Sequence, residues 1–172
     1  MGIVLVGDSH LAWIQRDVGL IGPEVRNAAE GGASSRDLLA QTARAGIDDA
    51  DLVVLSVGTN DAGPWQHVPI EEFAEALDHC LRTVPAAGWV YVAPPGVDES
   101  RLGPGDRTNA VLDDYRAAAL TVCVQAGAGA VRADRVVAPL GPQAFVDDGL
   151  HLSGHAYQLL LPAIAAAVRT TS

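Results

Sequence analysis

The sequence predicts an α/β protein, a three-layer α/β/α sandwich around a five-stranded parallel sheet. Three observations carry that prediction. Short runs rich in Val, Leu and Ile alternate with longer helical patterns along the whole chain. The short runs are continuously apolar instead of alternating, as strands covered on both faces require. Strand-like and helix-like segments follow one another in turn, the order that winds into right-handed βαβ units.

Ile3–Val6 is the first apolar run and ends at Gly7; Leu11–Val18, apolar on one side, reads as the helix after it. Val25–Ala28 is a weaker strand candidate, followed by a helix over Ser35–Ala45 that starts at Ser34 or Ser35. Leu52–Val57 is the clearest buried strand. A helix over Ile70–Val84 follows Pro69, with Glu71 and Glu72 in its first turn, where negative charge suits the helix dipole. Trp89–Ala93 is the fourth strand, and the polar stretch Asp98–Arg107 after it reads as a long loop. Asn109–Ala126 is the longest helix, Gly129–Ala133 the fifth strand, and Gly154–Arg169 a last helix behind the N-cap Ser153. No internal repeat, low-complexity tract or linker interrupts this pattern, so residues 1–172 are expected to form one domain.

Composition narrows the function classes. The formal net charge is -10, and the basic residues form no cluster, which disfavours nucleic acid and anionic membrane as partners. There is no lysine, so Schiff-base chemistry, pyridoxal phosphate and a P-loop are excluded. Cys80 and Cys123 are far apart, each in a helical segment, and are expected to be buried thiols. The N-terminus lacks a signal-peptide pattern, and the apolar stretch Leu159–Val168 is short and broken by Pro162. A cytoplasmic location is the expectation; the oligomeric state is not encoded legibly.

In an open parallel sheet, sites form beyond the carboxyl ends of the strands. Gly7-Asp8-Ser9-His10 follows the first strand, Glu30-Gly31-Gly32-Ala33 the second, Gly58-Thr59-Asn60-Asp61 the third and Pro94-Pro95-Gly96 the fourth. After the fifth, past a longer connection, comes Asp147-Asp148-Gly149-Leu150-His151. A hydroxyl, flexible glycines, an amide and an Asp–His pair therefore converge on one edge.

These blocks resemble those of the SGNH hydrolases, also called GDSL hydrolases, over nearly the whole chain and in the family's order. Gly7-Asp8-Ser9 is similar to the first block, Asn27 through Gly32 to the second, Gly58-Thr59-Asn60-Asp61 to the third and Asp148-Gly149-Leu150-His151 to the last. The resemblance implies a flavodoxin-like fold and a cofactor-free serine hydrolase acting on a small-molecule ester or thioester, with an acyl-enzyme intermediate. Ser9 would be the nucleophile, His151 the base and Asp148 its orienter. The amides of Ser9 and Gly32 and the side chain of Asn60 would form the oxyanion hole. His10 stands where the family usually has Leu. Glu30-Gly31 likewise replaces small or apolar residues.

Each residue also has a plainer reading. Ser9 alone would be a helix N-cap, Asn60-Asp61 and Gly31-Gly32 turns, and Asp148 and His151 solvated loop residues. Asp147 is a rival orienter one position out of register. His155, four residues after His151, has a helical metal-site spacing but no third ligand, and is expected to pack on its helix with no metal. His10, Trp65 and Leu150 are expected to line the substrate pocket. Arg101 and Arg107 are read as solvated loop arginines that could meet an anionic substrate. Two other functions use the same residues: an acyltransferase with a metabolite acceptor, and a non-catalytic flavodoxin-like binding module.

Overall fold

The computed structural model describes residues 2–14 and 17–171. Five strands, β1 (Ile3–Gly7), β2 (Val25–Asn27), β3 (Leu52–Ser56), β4 (Gly88–Val92) and β5 (Gly129–Val131), pair in parallel in the order β2-β1-β3-β4-β5. The helices are α1 (Ser9–Ala12), α2 (Leu38–Ala45), α3 (Ile70–Thr83), α4 (Asn109–Ala126), α5 (Ala133–Val137) and α6 (Gly154–Thr171).

Side chains alternate across the sheet, so each continuous apolar run feeds two cores. Val4, Val6, Val53, Leu55 and Tyr91 face one layer with Leu38, Phe73, Leu77, Leu112 and Tyr115 of α2, α3 and α4. Ile3, Leu5, Leu52, Val54, Val90 and Val92 face the other, with Leu11 of α1, Val137 of α5 and Leu160 and Ile164 of α6. This double burial is why the runs lack polar alternation. Cys80 and Cys123 are both buried in the first core, and burial pushes each thiol up to about 12.

The strand order reverses between β1 and β3, where Gly7 pairs in register with Ser56. The chain leaves β1 towards β2 on one side and returns as β3 on the other. That opens a crevice beyond the two carboxyl ends, the usual place for a site in such sheets.

The helix expected over Leu11–Val18 is displaced. It starts two residues earlier, at Ser9, because Asp8 caps it, and it stops at Ala12. Its last carbonyls have tertiary partners instead of helical ones: Tyr157 Oη donates to His10 O at 2.9 Å and Asn27 Nδ2 to Leu11 O at 2.8 Å. Residues 15 and 16 of that stretch lie outside the described residues, and a 3₁₀ turn follows at Val18–Leu20. The connection from β5 to α6 also carries order that the sequence did not announce, α5 and a 3₁₀ segment over Ala138–Ala144. Among the described residues no helix is long and apolar enough to cross a membrane.

Candidate active site

Ser9 is the first residue of α1 and is 7% exposed. The capping task falls to Asp8, whose Oδ1 accepts from His10 N at 3.0 Å. The Ser9 hydroxyl is therefore not consumed as a cap, and no hydrogen bond joins it to another described residue. Ahead of it, Gly7 has φ +116°, and a Cβ there would sit 1.9 Å from Ser56 O. Only glycine fits where β1 passes that close to β3. The Gly7 peptide is gripped on both sides by buried Gln41, which accepts from Gly7 N at 2.7 Å and donates to Gly7 O at 3.0 Å. Gln41 escaped the sequence reading. Its signal is a polar side chain three residues after Leu38, on the inward stripe of an amphipathic helix.

Two further segments face this serine loop from the neighbouring strand ends. Glu30 N donates to Gly7 O at 2.9 Å, which brings the turn after β2 alongside β1. Gly32 sits in that turn with φ +82°, exposed, and its amide is not engaged by another described residue. Asn60, after β3, donates one Nδ2 hydrogen to Ala33 O at 2.9 Å, which leaves its second hydrogen free. Buried Asp61 stiffens the same turn: Oδ1 accepts from Ser35 N at 2.9 Å and Oδ2 from Gly58 N at 3.0 Å. Burial raises the Asp61 carboxyl above its ordinary range against the pull of these donors.

Asp148 and His151 pair on the loop before α6, with Oδ2 2.6 Å from Nδ1. Asp148 Oδ1 also accepts from Leu150 N at 2.8 Å and His151 N at 2.9 Å. Partial burial opposes ionisation of Asp148, but these N–H donors outweigh it and hold the carboxyl below its ordinary range. Asp147 is exposed and makes none of these contacts, so the in-register aspartate is the one that orients the ring. The turn needs Gly149, at φ +71°, because a Cβ would lie 2.8 Å from Asp98 O. The His151 ring stacks on Trp13 with centroids 4.0 Å apart and planes 8° from parallel. Trp13, another residue missed in the sequence, also borders a groove of about 580 Å³ with Ala12, Val18, Val25, Asn27, Ala29 and Gly31.

Burial of His10 and Arg107 corrects two expectations about the pocket, while Leu150 and Trp65 keep accessible surface. His10 is 1% exposed and cannot line a substrate pocket; it lies beneath the site, with Nε2 3.3 Å from Leu150 O. Leu150 is partly buried against the first core, and its carbonyl lies against the His10 ring. Trp65 is exposed, with its ring 4.8 Å from the Arg107 guanidinium carbon. Arg107 is not solvated. Its side chain is buried, donates from Nη1 to Thr59 O at 2.5 Å and pairs with Asp106, so it braces the turn that carries Asn60. Arg101 is partly exposed but braces too, donating to Val146 O at 2.9 Å. His155 is exposed on α6.

A parallel α/β/α sandwich with a free serine hydroxyl after β1 and an Asp–His pair ahead of the last helix has the architecture of the SGNH hydrolases. The chain belongs to the GDSL-like lipase/acylhydrolase family, whose model matches residues 5–159. A curated relative, the isoamyl acetate-hydrolyzing esterase 1 homolog of Bos taurus, is 31% identical over 128 residues. That match covers 63% of this chain and 51% of the relative, so the chain spans about half the length of the curated relative it matches. Among solved structures, a lipase/acylhydrolase from Enterococcus faecalis superposes with a TM-score of 0.79 at 21% identity, covering 99% of this chain and 96% of that one. An acetylxylan esterase from Geobacillus stearothermophilus gives 0.78 at 19% identity, covering 97% and 93%. At these identities the likeness is one of fold.

Proposed function

We propose that the chain is a serine esterase that cleaves small-acyl esters or thioesters through an acyl-enzyme on Ser9. The observation that carries this is the conjunction of an uncapped Ser9 hydroxyl with an Asp148–His151 pair at 2.6 Å. A short Nδ1–Asp148 contact favours the tautomer with its proton on Nδ1, which leaves the Nε2 lone pair to act as base.

The mechanism follows from that tautomer. As Ser9 Oγ attacks the carbonyl carbon, its proton passes to His151 Nε2. Negative charge builds on the carbonyl oxygen, where the Gly32 and Ser9 amides and the free Asn60 Nδ2 hydrogen receive it. Collapse breaks the acyl–oxygen or acyl–sulfur bond, and His151 returns the proton to the leaving group. Water then attacks the acyl-enzyme with His151 again as base, releasing the acid and restoring Ser9. Ser9 Oγ and His151 are not hydrogen-bonded to each other, and such contacts commonly tighten only with substrate bound. The groove beside Trp13, Asn27 and Gly31, next to His151 and Gly32, offers room for the alcohol portion. Acetyl esters are the first substrates to try: one relative is named for isoamyl acetate and one structural neighbour for acetylxylan.

The test is intact mass after treatment with a fluorophosphonate, on wild type and Ser9→Ala, alongside hydrolysis of p-nitrophenyl acetate. A single adduct on wild type only, with a loss in kcat on the order of 10⁴-fold or more in the variant, is expected. Equal labelling or equal hydrolysis by both proteins overturns the proposal.

A further inference from the structure

We propose that His10 is a positioning residue for the acid–base loop, a buried imidazolium that ties the serine loop to the peptide preceding His151. The inference rests on the esterase reading above and adds a residue to it.

The geometry is that of a cation between two acceptors. His10 Nε2 lies 3.3 Å from Leu150 O, and Nδ1 lies 3.3 Å from Asp8 Oδ1. A carbonyl and a carboxylate have no proton to offer. A neutral imidazole has one N–H and one lone pair, so one contact would set a lone pair against an oxygen; the imidazolium donates or is attracted at both. Asp8 needs the charge as well. Its side chain is 0% exposed, and its Oδ2 has no hydrogen-bond partner. A buried carboxylate left without a counter-charge is costly, and His10 is the cationic partner in contact with it. The Nδ1 contact lacks hydrogen-bond alignment, so it acts as an ion pair.

The position of this cation matters for the chemistry. The Leu150 peptide is held on its N–H side by Asp148 Oδ1 and on its carbonyl side by His10. The next residue is His151. Tyr157 of α6 closes the same joint from the other direction by donating to His10 O. A shift of that peptide carries the base relative to Ser9, and misplacement by about 1 Å costs up to 100-fold in rate. An aliphatic side chain at this position could make neither contact.

The charged and titratable groups around the His10 ring set its pH behaviour. Burial pulls its pKa down, Asp8 and the Leu150 carbonyl push it up, and Arg107 opposes them; the upward pull prevails. His151, with its ring centroid 6.4 Å away, and Tyr157 complete the surroundings. A histidine held above its ordinary value contributes fully below the unfolded value and loses its contribution as pH rises through the folded one. The joint is therefore complete below the ordinary histidine range and slackens as pH rises through the raised value.

Histidine side-chain NMR on the whole chain reads the protonation state directly, with His10→Gln used to assign the signal. An imidazolium at neutral pH that titrates above the ordinary histidine range is expected; a neutral His10 ring at neutral pH overturns the proposal. The second arm compares pH profiles of p-nitrophenyl acetate hydrolysis. Wild type should lose kcat on the alkaline side. His10→Leu should lower kcat about 10-fold to 100-fold with KM nearly unchanged and abolish that alkaline fall. His10→Gln, which keeps a donor for Leu150 O, should recover part of kcat with a flat alkaline limb. Wild-type kcat and an unchanged alkaline limb in His10→Leu would also overturn it. If the variants do not fold, the wild-type His10 ring signal, assigned by through-bond correlation to its own backbone, decides. A wild type that fluorophosphonate fails to label while His10 is imidazolium sinks the esterase reading and leaves the ionic joint standing.

Discussion

Ser9 and its flanking residues are buried and gripped from three elements, whereas the Asp148–His151 pair lies partly in solvent on one loop. Asp8 and His10 are 0% and 1% exposed at their side chains, against 46% and 22% for Asp148 and His151. The serine loop is locked by the pairing of β1 with β3, by Gln41 from α2 and by the turn after β2. The acid–base loop is held by a few backbone bonds, such as Val146 N to His151 O at 2.9 Å and Asp98 N to Gly149 O at 2.8 Å, and by side-chain bonds from Asp148, Arg101 and His10. The comparison teaches that one half of the site is part of the fold and the other is an attachment to it. Substitutions in the first half should show up as stability, and those in the second as rate.

The sharpest break of that comparison is Gly7→Ala. The added methyl would stand 1.9 Å from Ser56 O at a φ of +116°, so the β1–β3 register itself must open. A cost of about 4 kcal/mol or more is expected, and little folded protein should accumulate. Circular dichroism and thermal melting check it; a melt within a few degrees of wild type would show that the serine loop is not locked as described.

Asp148→Asn is the matching change on the other side. It keeps the shape of the loop but removes the charge that, in the proposed mechanism, orients the His151 tautomer. A fall in kcat of about 10³–10⁴-fold is expected, with stability changed by no more than about 1 kcal/mol because the carboxylate is half exposed. Steady-state kinetics and a urea melt on one preparation separate the two effects. A large loss of stability with a small loss of rate would reverse the assignment of the two halves.

What was legible in the sequence divides along a similar line. The sheet could be read because strands covered on both faces leave continuous apolar runs such as Leu52–Ser56, and the site blocks because each sits where a strand ends. The bracing residues were not legible, since their partners are remote in sequence. Arg107 reads as a loop cation until Thr59, 48 positions away, is placed beside it. His10 reads as a pocket wall because it follows the serine, yet a helix turns successive side chains through roughly 100°, and position 10 points down into the protein. The early end of α1 depended on Asn27 and Tyr157, which no local propensity encodes. Polar residues at inward positions were the available signal, and Gln41 shows that such a residue is better taken as a brace than as a break in the pattern.

Arg101→Ala tests the attachment at its weakest point and should have the smallest effect. Arg101 donates to Val146 O at 2.9 Å and pairs with Asp98 at 3.0 Å, while Asp98 N donates to Gly149 O at 2.8 Å. The guanidinium thus braces the outer side of the loop whose inner side His10 holds. Its side chain is 35% exposed, so solvent screens it, and the pair is worth about 0.2–1 kcal/mol. If that energy goes into holding the loop, kcat should drop by up to about fivefold with no measurable change in melting temperature. High salt should reproduce part of the drop in wild type and have less effect on the variant. A variant with unchanged kcat at low and high salt would mean that the loop is held from its inner side alone, and would shift the weight of the attachment onto Asp148 and His10.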